Sequence, residues 1–159
     1  MRLNYTRWLI AVVAVGLLLP ATVQAHNNGK SYLSLEAAGS TGHQWQVRWD
    51  VSFQDLDLVL NLDRNLDGQL TRAEYNRASG SFSRLPARQL RFSSGSEPCD
   101  PGAVTQSLLQ NRAEKMLRLN FDLVCPGTGG ALELDYRLLA GGDASHRALL
   151  DIDGQSQVV

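Results

Sequence analysis

The sequence predicts a mainly β, α+β domain: an antiparallel β-sandwich-like body with one helix–loop–helix inserted into it. Most of the chain alternates apolar and polar residues with period two, the pattern of strands that bury one face. Between Phe53 and Ser79 the period switches to about 3.6, which signals helices. Glycine- and proline-bearing turn segments separate the alternating stretches at short intervals, as a sandwich of many short strands requires.

Taken in chain order, the first element is a leader. Arg2 and Arg7 make a positive start, Leu9 to Leu19 (LIAVVAVGLLL) is an uncharged apolar run, and Pro20 breaks it. Val23-Gln24-Ala25 offers the small residues of a cleavage site. A run of 11 residues is short of the roughly 20 that span a bilayer. Residues 1–25 are therefore expected to be a cleaved signal peptide, and residues 26–159 a single domain that is periplasmic or secreted. No later stretch reaches transmembrane length, so no membrane span is expected in the mature chain.

Leu33, Leu35 and Ala37 alternate, turn through Gly39-Ser40-Thr41-Gly42, and are followed by Trp45, Val47, Trp49 and Val51, which predicts a hairpin. In FQDLDLVLNL, residues Phe53, Leu56 and Leu60 fall on one side of a helix, with Ser52 as N-cap. A second helix opens at Thr71, with Glu74 three residues on as in a capping box, and is expected to stop near Ser79 at Gly80. Leu90 and Phe92 mark a short strand. Leu117 to Leu123 and Leu132 to Leu138 alternate on either side of Pro126-Gly127-Thr128-Gly129-Gly130, which predicts a second antiparallel pair. Leu150 and Ile152 mark a last strand, and Asp151-Ile152-Asp153-Gly154 a β-turn.

Composition narrows the function. With 15 Lys+Arg against 16 Asp+Glu, and only two lysines, the chain lacks the basic excess that nucleic acid or an anionic membrane would need. Loss of the leader leaves 13 basic and 16 acidic groups, a net of −3. Cys99 and Cys125 lie in the exported part, where an oxidising compartment allows a disulfide; two free thiols are the alternative. Neither has a Cys-x-x-Cys partner or a histidine at metal-ligand spacing. There is no Gly-x-Ser-x-Gly and no phosphate-binding loop, so no enzyme activity is expected.

One segment carries chemistry. Asp63-Arg64-Asn65-Leu66-Asp67-Gly68-Gln69-Leu70-Thr71-Arg72-Ala73-Glu74 matches D-x-[DN]-x-[DN]-G-x5-E at every position, and it resembles the calcium loop of EF-hand proteins, here spanning about residues 53–79 with its helices. Ca2+ takes six to eight oxygens at about 2.3–2.6 Å. Asp63, Asn65 and Asp67 would point alternate side chains at one centre, Gln69 would give its backbone carbonyl, Thr71 would bind directly or through water, and Glu74 would close the shell. Gly68 allows the sharp turn, and Leu70 pins the loop to the core or to a partner loop. Thiolate and imidazole are absent, which argues against zinc or copper there. As a solitary loop it is expected to bind calcium weakly, on the order of 10⁻⁴ M, as a structural clamp rather than a switch.

Weaker features complete the reading. After cleavage His26 would be the N-terminus, and its amino group and imidazole could chelate copper with His43 or His146; a secreted copper enzyme is thus the second alternative. Trp45 and Trp49 share a strand face and are either core or a ligand platform. Asp55, Asp57 and Asp122 read as solvated faces. Tyr32-Leu33-Ser34-Leu35, then Trp49-Asp50-Val51-Ser52-Phe53-Gln54-Asp55-Leu56-Asp57 leading into the loop, with Cys99 and His146-Arg147-Ala148-Leu149-Leu150 later, resemble the extracytoplasmic N-terminal domain of bacterial HupE/UreJ-type membrane proteins. That resemblance implies an accessory or sensing domain for a membrane metal transporter, with an envelope or membrane protein as partner. Those proteins continue into several transmembrane helices, so transport itself is not carried over to this chain.

Overall fold

The computed structural model describes residues 30–39, 43–110, 115–127, 131–140 and 146–158. The leader and His26 lie outside the described residues. Two sheets and three helices make up the described part. The strands are β1 (Lys30–Ala37), β2 (Gln44–Ser52), β3 (Leu90–Ser94), β4 (Glu97–Pro98), β5 (Asp100–Pro101), β6 (Thr105–Gln110), β7 (Lys115–Val124), β8 (Leu132–Tyr136), β9 (Arg147–Ile152) and β10 (Gln155–Val158). The helices are α1 (Phe53–Leu60), α2 (Arg72–Phe82) and α3 (Leu85–Gln89). The larger sheet runs β10-β9-β1-β2-β7-β5, with β6 also on β7; the smaller runs β4-β3-β8.

The alternation places the core. Leu33, Leu35, Val47, Trp49, Val51, Leu117, Leu119, Phe121 and Leu123 are buried on one face of the larger sheet. Leu90 and Phe92 of the smaller sheet meet them, with Phe92 and Phe121 rings 6.5 Å apart. Leu56, Phe82 and Leu85 bring all three helices onto the same core. On the outer face, Asp50 and Arg118 are cross-strand partners joined by two 2.7 Å hydrogen bonds. Those contacts stabilise the guanidinium charge and raise the Arg118 pKa.

The expected hairpin β1/β2 forms, with Leu33 opposite Trp49 and Leu35 opposite Val47. Asp153 and Gly154, at φ 48° and 82°, make a two-residue turn between β9 and β10, as Asp-Gly favours. Two expectations are corrected. The sheet is not wholly antiparallel, because β9 lies parallel to β1 after a long return of the chain. Nor do the two late alternating segments pair: β7 runs antiparallel to β2 along nine residues, and β8 crosses to the smaller sheet beside β3. Both choices bury an apolar face against an existing one, which a free-standing hairpin would not.

Cys99 and Cys125 form a disulfide that ties the β4–β5 corner to the end of β7. Trp49 is fully buried, which settles it as core rather than platform, and Trp45 packs against the same cluster. Among the described residues no helix is long and apolar enough to cross a membrane.

Candidate functional site: the loop between α1 and α2

The loop inherits its two ends from helix chemistry. Ser52 caps α1 by accepting the Asp55 N–H, and α1 closes on Asn61 in the left-handed region, at φ 51°. Asp57 then holds the loop entrance: its Oδ1 accepts from Leu62 N at 2.6 Å and Asp63 N at 2.8 Å. Asp57 is thus a working partner of the loop rather than a solvated face. At the far end Thr71 and Glu74 make the expected capping box on α2. That helix passes through Gly80 and ends at Phe82 rather than at Ser79, because Phe82 is wholly buried and packs on Tyr75 at 5.4 Å. Burial of a phenyl ring outweighs the roughly 1 kcal/mol that a mid-helix glycine costs.

Inside the loop the carboxylates face the loop's own amides. Asp63 accepts from Asp67 N at 3.2 Å and from Gly68 N at 2.7 Å. Asn65 Oδ1 lies 3.4 Å from the same Asp67 N, and Asn65 Nδ2 donates to Asp67 Oδ2 at 2.8 Å. Asp67 Oδ1 accepts from Gln69 N at 2.8 Å. Gly68 sits at φ 73°, a conformation that a side chain would strain. Asp63, Asn65 and Asp67 are therefore drawn together, while Gln69 is exposed beside them.

Glu74 is buried and spans the loop ends. Its Oε2 accepts from Thr71 Oγ1 at 2.7 Å and Thr71 N at 2.9 Å, and its Oε1 accepts from Arg64 N at 3.2 Å. The Thr71 hydroxyl is the largest influence holding the Glu74 carboxyl below its ordinary pKa of 4.5, followed by the Thr71 amide, and burial opposes them. Among the described residues no group of three or more His, Cys, Asp or Glu side chains is gathered closely enough to hold a metal ion. Asp63 and Asp67 occupy one part of the loop and Glu74 another, each committed to N–H or O–H donors, as mutual repulsion of carboxylates favours. The donor types present are nevertheless all hard oxygens, the set that suits Ca2+.

Two features of this region escape sequence reasoning. Leu66 sits at φ 58° and is 83% exposed, so a bulky side chain occupies a strained backbone position with no burial to offset it. Asp55 is not solvated: it is buried, accepts from Ser52 Oγ at 2.8 Å, and lies 3.4 Å from His146 Nδ1, an ion-pair distance without an aligned hydrogen bond. His146 Nε2 is 3.0 Å from the Tyr136 hydroxyl, which is 2.6 Å from Ser31 Oγ. His146 is accordingly buried and stacked on Tyr136. This chain of polar contacts joins α1 to β1, β8 and the residue before β9. A lone Asp in an amphipathic helix carries no local sign of so distant a partner as His146, and the Ser31–Tyr136 link of the same network spans 105 residues.

No protein-family model matches the chain, and neither does any curated protein.

Proposed function

We propose that this chain is a non-enzymatic, exported calcium-binding domain, in which Asp63, Asn65, Asp67, the Gln69 carbonyl, Thr71 and Glu74 hold one Ca2+ as a structural clamp. The observation that supports it most is the convergence of Asp63 Oδ1 and Asn65 Oδ1 on a single amide, that of Asp67, just before the chain turns at Gly68. Two alternate side chains of the loop thus reach the same backbone amide. Bound calcium would supply positive charge between three carboxylates that otherwise repel, and would join the exit of α1 to the start of α2. Glu74 already links those two ends through Arg64 N and Thr71 N. Outside the cytosol, an affinity on the order of 10⁻⁴ to 10⁻³ M keeps such a site occupied.

The test is the thermal melt of the purified chain in chelator, in calcium and in magnesium. At about a hundredfold excess over Kd, a ligand of the folded state adds about 2.7 kcal/mol. That raises the midpoint by roughly 5–15 °C in a domain of this size. The rise is expected with calcium, not with magnesium, and is lost in Glu74→Gln. An identical midpoint in calcium and chelator overturns the proposal.

A further inference from the structure

Beside the loop exit lies a groove of about 440 Å³ whose lining shares only Thr71 with the residues assigned to calcium. Its apolar walls are Phe53 at the start of α1, Leu70 of the loop, Tyr75 of α2 and Leu108 of β6. The first three pack on the core from one side and are only half-buried, and Leu108 is 43% exposed. Both charged groups lining it, Arg72 and Lys115, are cations. Among the described residues neither has a carboxylate within ion-pair distance. The grooves around Asp50, Glu133 and Glu74 each carry carboxylates beside their cations, whereas the charged lining of this one is cationic alone.

From this charge pattern we propose that the groove is a docking site for a segment of another protein in which large apolar side chains are flanked by Asp or Glu. The apolar side chains fill the space between Leu70, Tyr75 and Leu108, and the flanking carboxylates pair with Arg72 and Lys115. Apolar anchors with charged neighbours at the rim are the usual division of labour in such interfaces. A second copy of this chain is a poorer occupant, because a two-fold contact through the groove sets Arg72 and Lys115 against their own counterparts. Two cations also fall short of the basic cluster that an anionic membrane surface requires.

The test uses the full purified chain, isotopically labelled, and short capped peptides with a central Leu-Phe pair flanked by Asp and Glu. Controls carry Lys flanks, or Ser in place of Leu and Phe. The acidic apolar peptide is expected to bind saturably, shifting the amide resonances of Leu70, Tyr75 and Leu108, at least about tenfold more tightly than either control. Lys115→Glu, an exposed substitution, is expected to weaken the acidic peptide and strengthen the Lys-flanked one. Equal binding of acidic and basic peptides, shifts that map elsewhere, no saturable binding, or a groove occupied by self-association in sedimentation overturns the proposal. Each titration is run in calcium and in chelator. Binding in both, with a melt unresponsive to calcium, overturns the clamp alone, so the two readings fail separately.

Discussion

At the scale of single residues, the loop shows how one position can be strained while its neighbours are well served. Asp63, Asp67 and Glu74 each satisfy backbone N–H groups that a tight turn would leave without partners. Leu66 meets no such need and sits at φ 58°. Replacing it by Gly or Asn, which accept that conformation, is expected to stabilise the domain by about 1 kcal/mol, since the exposed side chain contributes little burial. The urea midpoint measures this; an unchanged or lower midpoint in both variants would mean that the loop relaxes around Leu66 at no cost. The oxygen-bearing side chains that serve the loop's amides were legible in the sequence because their spacing is local and short. The strain was not, because nothing in the identity of a leucine between Asn65 and Asp67 reports its backbone angle.

At the scale of elements, α1 is held from both sides. Its apolar residue Leu56 enters the core, and its buried Asp55 joins the polar chain through His146 and Tyr136 to Ser31. Burial pushes the Tyr136 hydroxyl well above its ordinary pKa of 10; contacts with Ser31 and Trp49 oppose the shift, and the Asp55 charge adds to it. A pKa raised on folding means that the folded state keeps its proton where the unfolded state has lost it. The stabilisation is therefore complete below about pH 10 and declines as pH rises past 10. Tyr136→Phe is expected to cost about 1–3 kcal/mol near neutrality, because Ser31 Oγ and His146 Nε2 lose a shared partner. The gap between wild type and variant should narrow above pH 10, as followed by denaturant titration at a series of pH values; a constant gap would exclude the tyrosine as its source. Helix boundaries were partly legible here: the caps at Ser52 and Thr71 are local chemistry, whereas the extension of α2 to Phe82 depends on a core that no local pattern describes.

At the scale of the whole molecule, the smaller sheet and the three helices cover one face of the larger sheet, and the disulfide pins a corner of that assembly. Cys99 N donates to Phe92 O and Cys125 N to His43 O, so the bridge joins segments already held by backbone hydrogen bonds. The cysteines are 26 residues apart, and opening a loop of that length is expected to cost about 3 kcal/mol through the entropy of the unfolded chain. The double variant Cys99→Ser, Cys125→Ser should fold with a lower guanidinium midpoint and a somewhat steeper slope, because its unfolded chain is less constrained and exposes more surface; a midpoint equal to that of the oxidised wild type would show that the bridge constrains nothing.

What the sequence determined by itself was whatever short-range chemistry encodes: the alternation that makes β1, β2, β7 and β8, the caps of α1 and α2, the acidic loop with Gly68 at its turn, and the candidate pair of cysteines. Tertiary structure alone decided which strands became neighbours. An alternating strand presents the same apolar face to any partner, so β7 could join β2 and β8 could cross to β3 without any change in pattern. It also decided the fate of the polar residues, sending Asp55 and His146 inward toward each other and leaving Arg72 and Lys115 together at an open groove. Those placements depend on contacts between distant parts of the chain, and the free energy of burying or pairing a charge is set by neighbours that only the folded chain brings near.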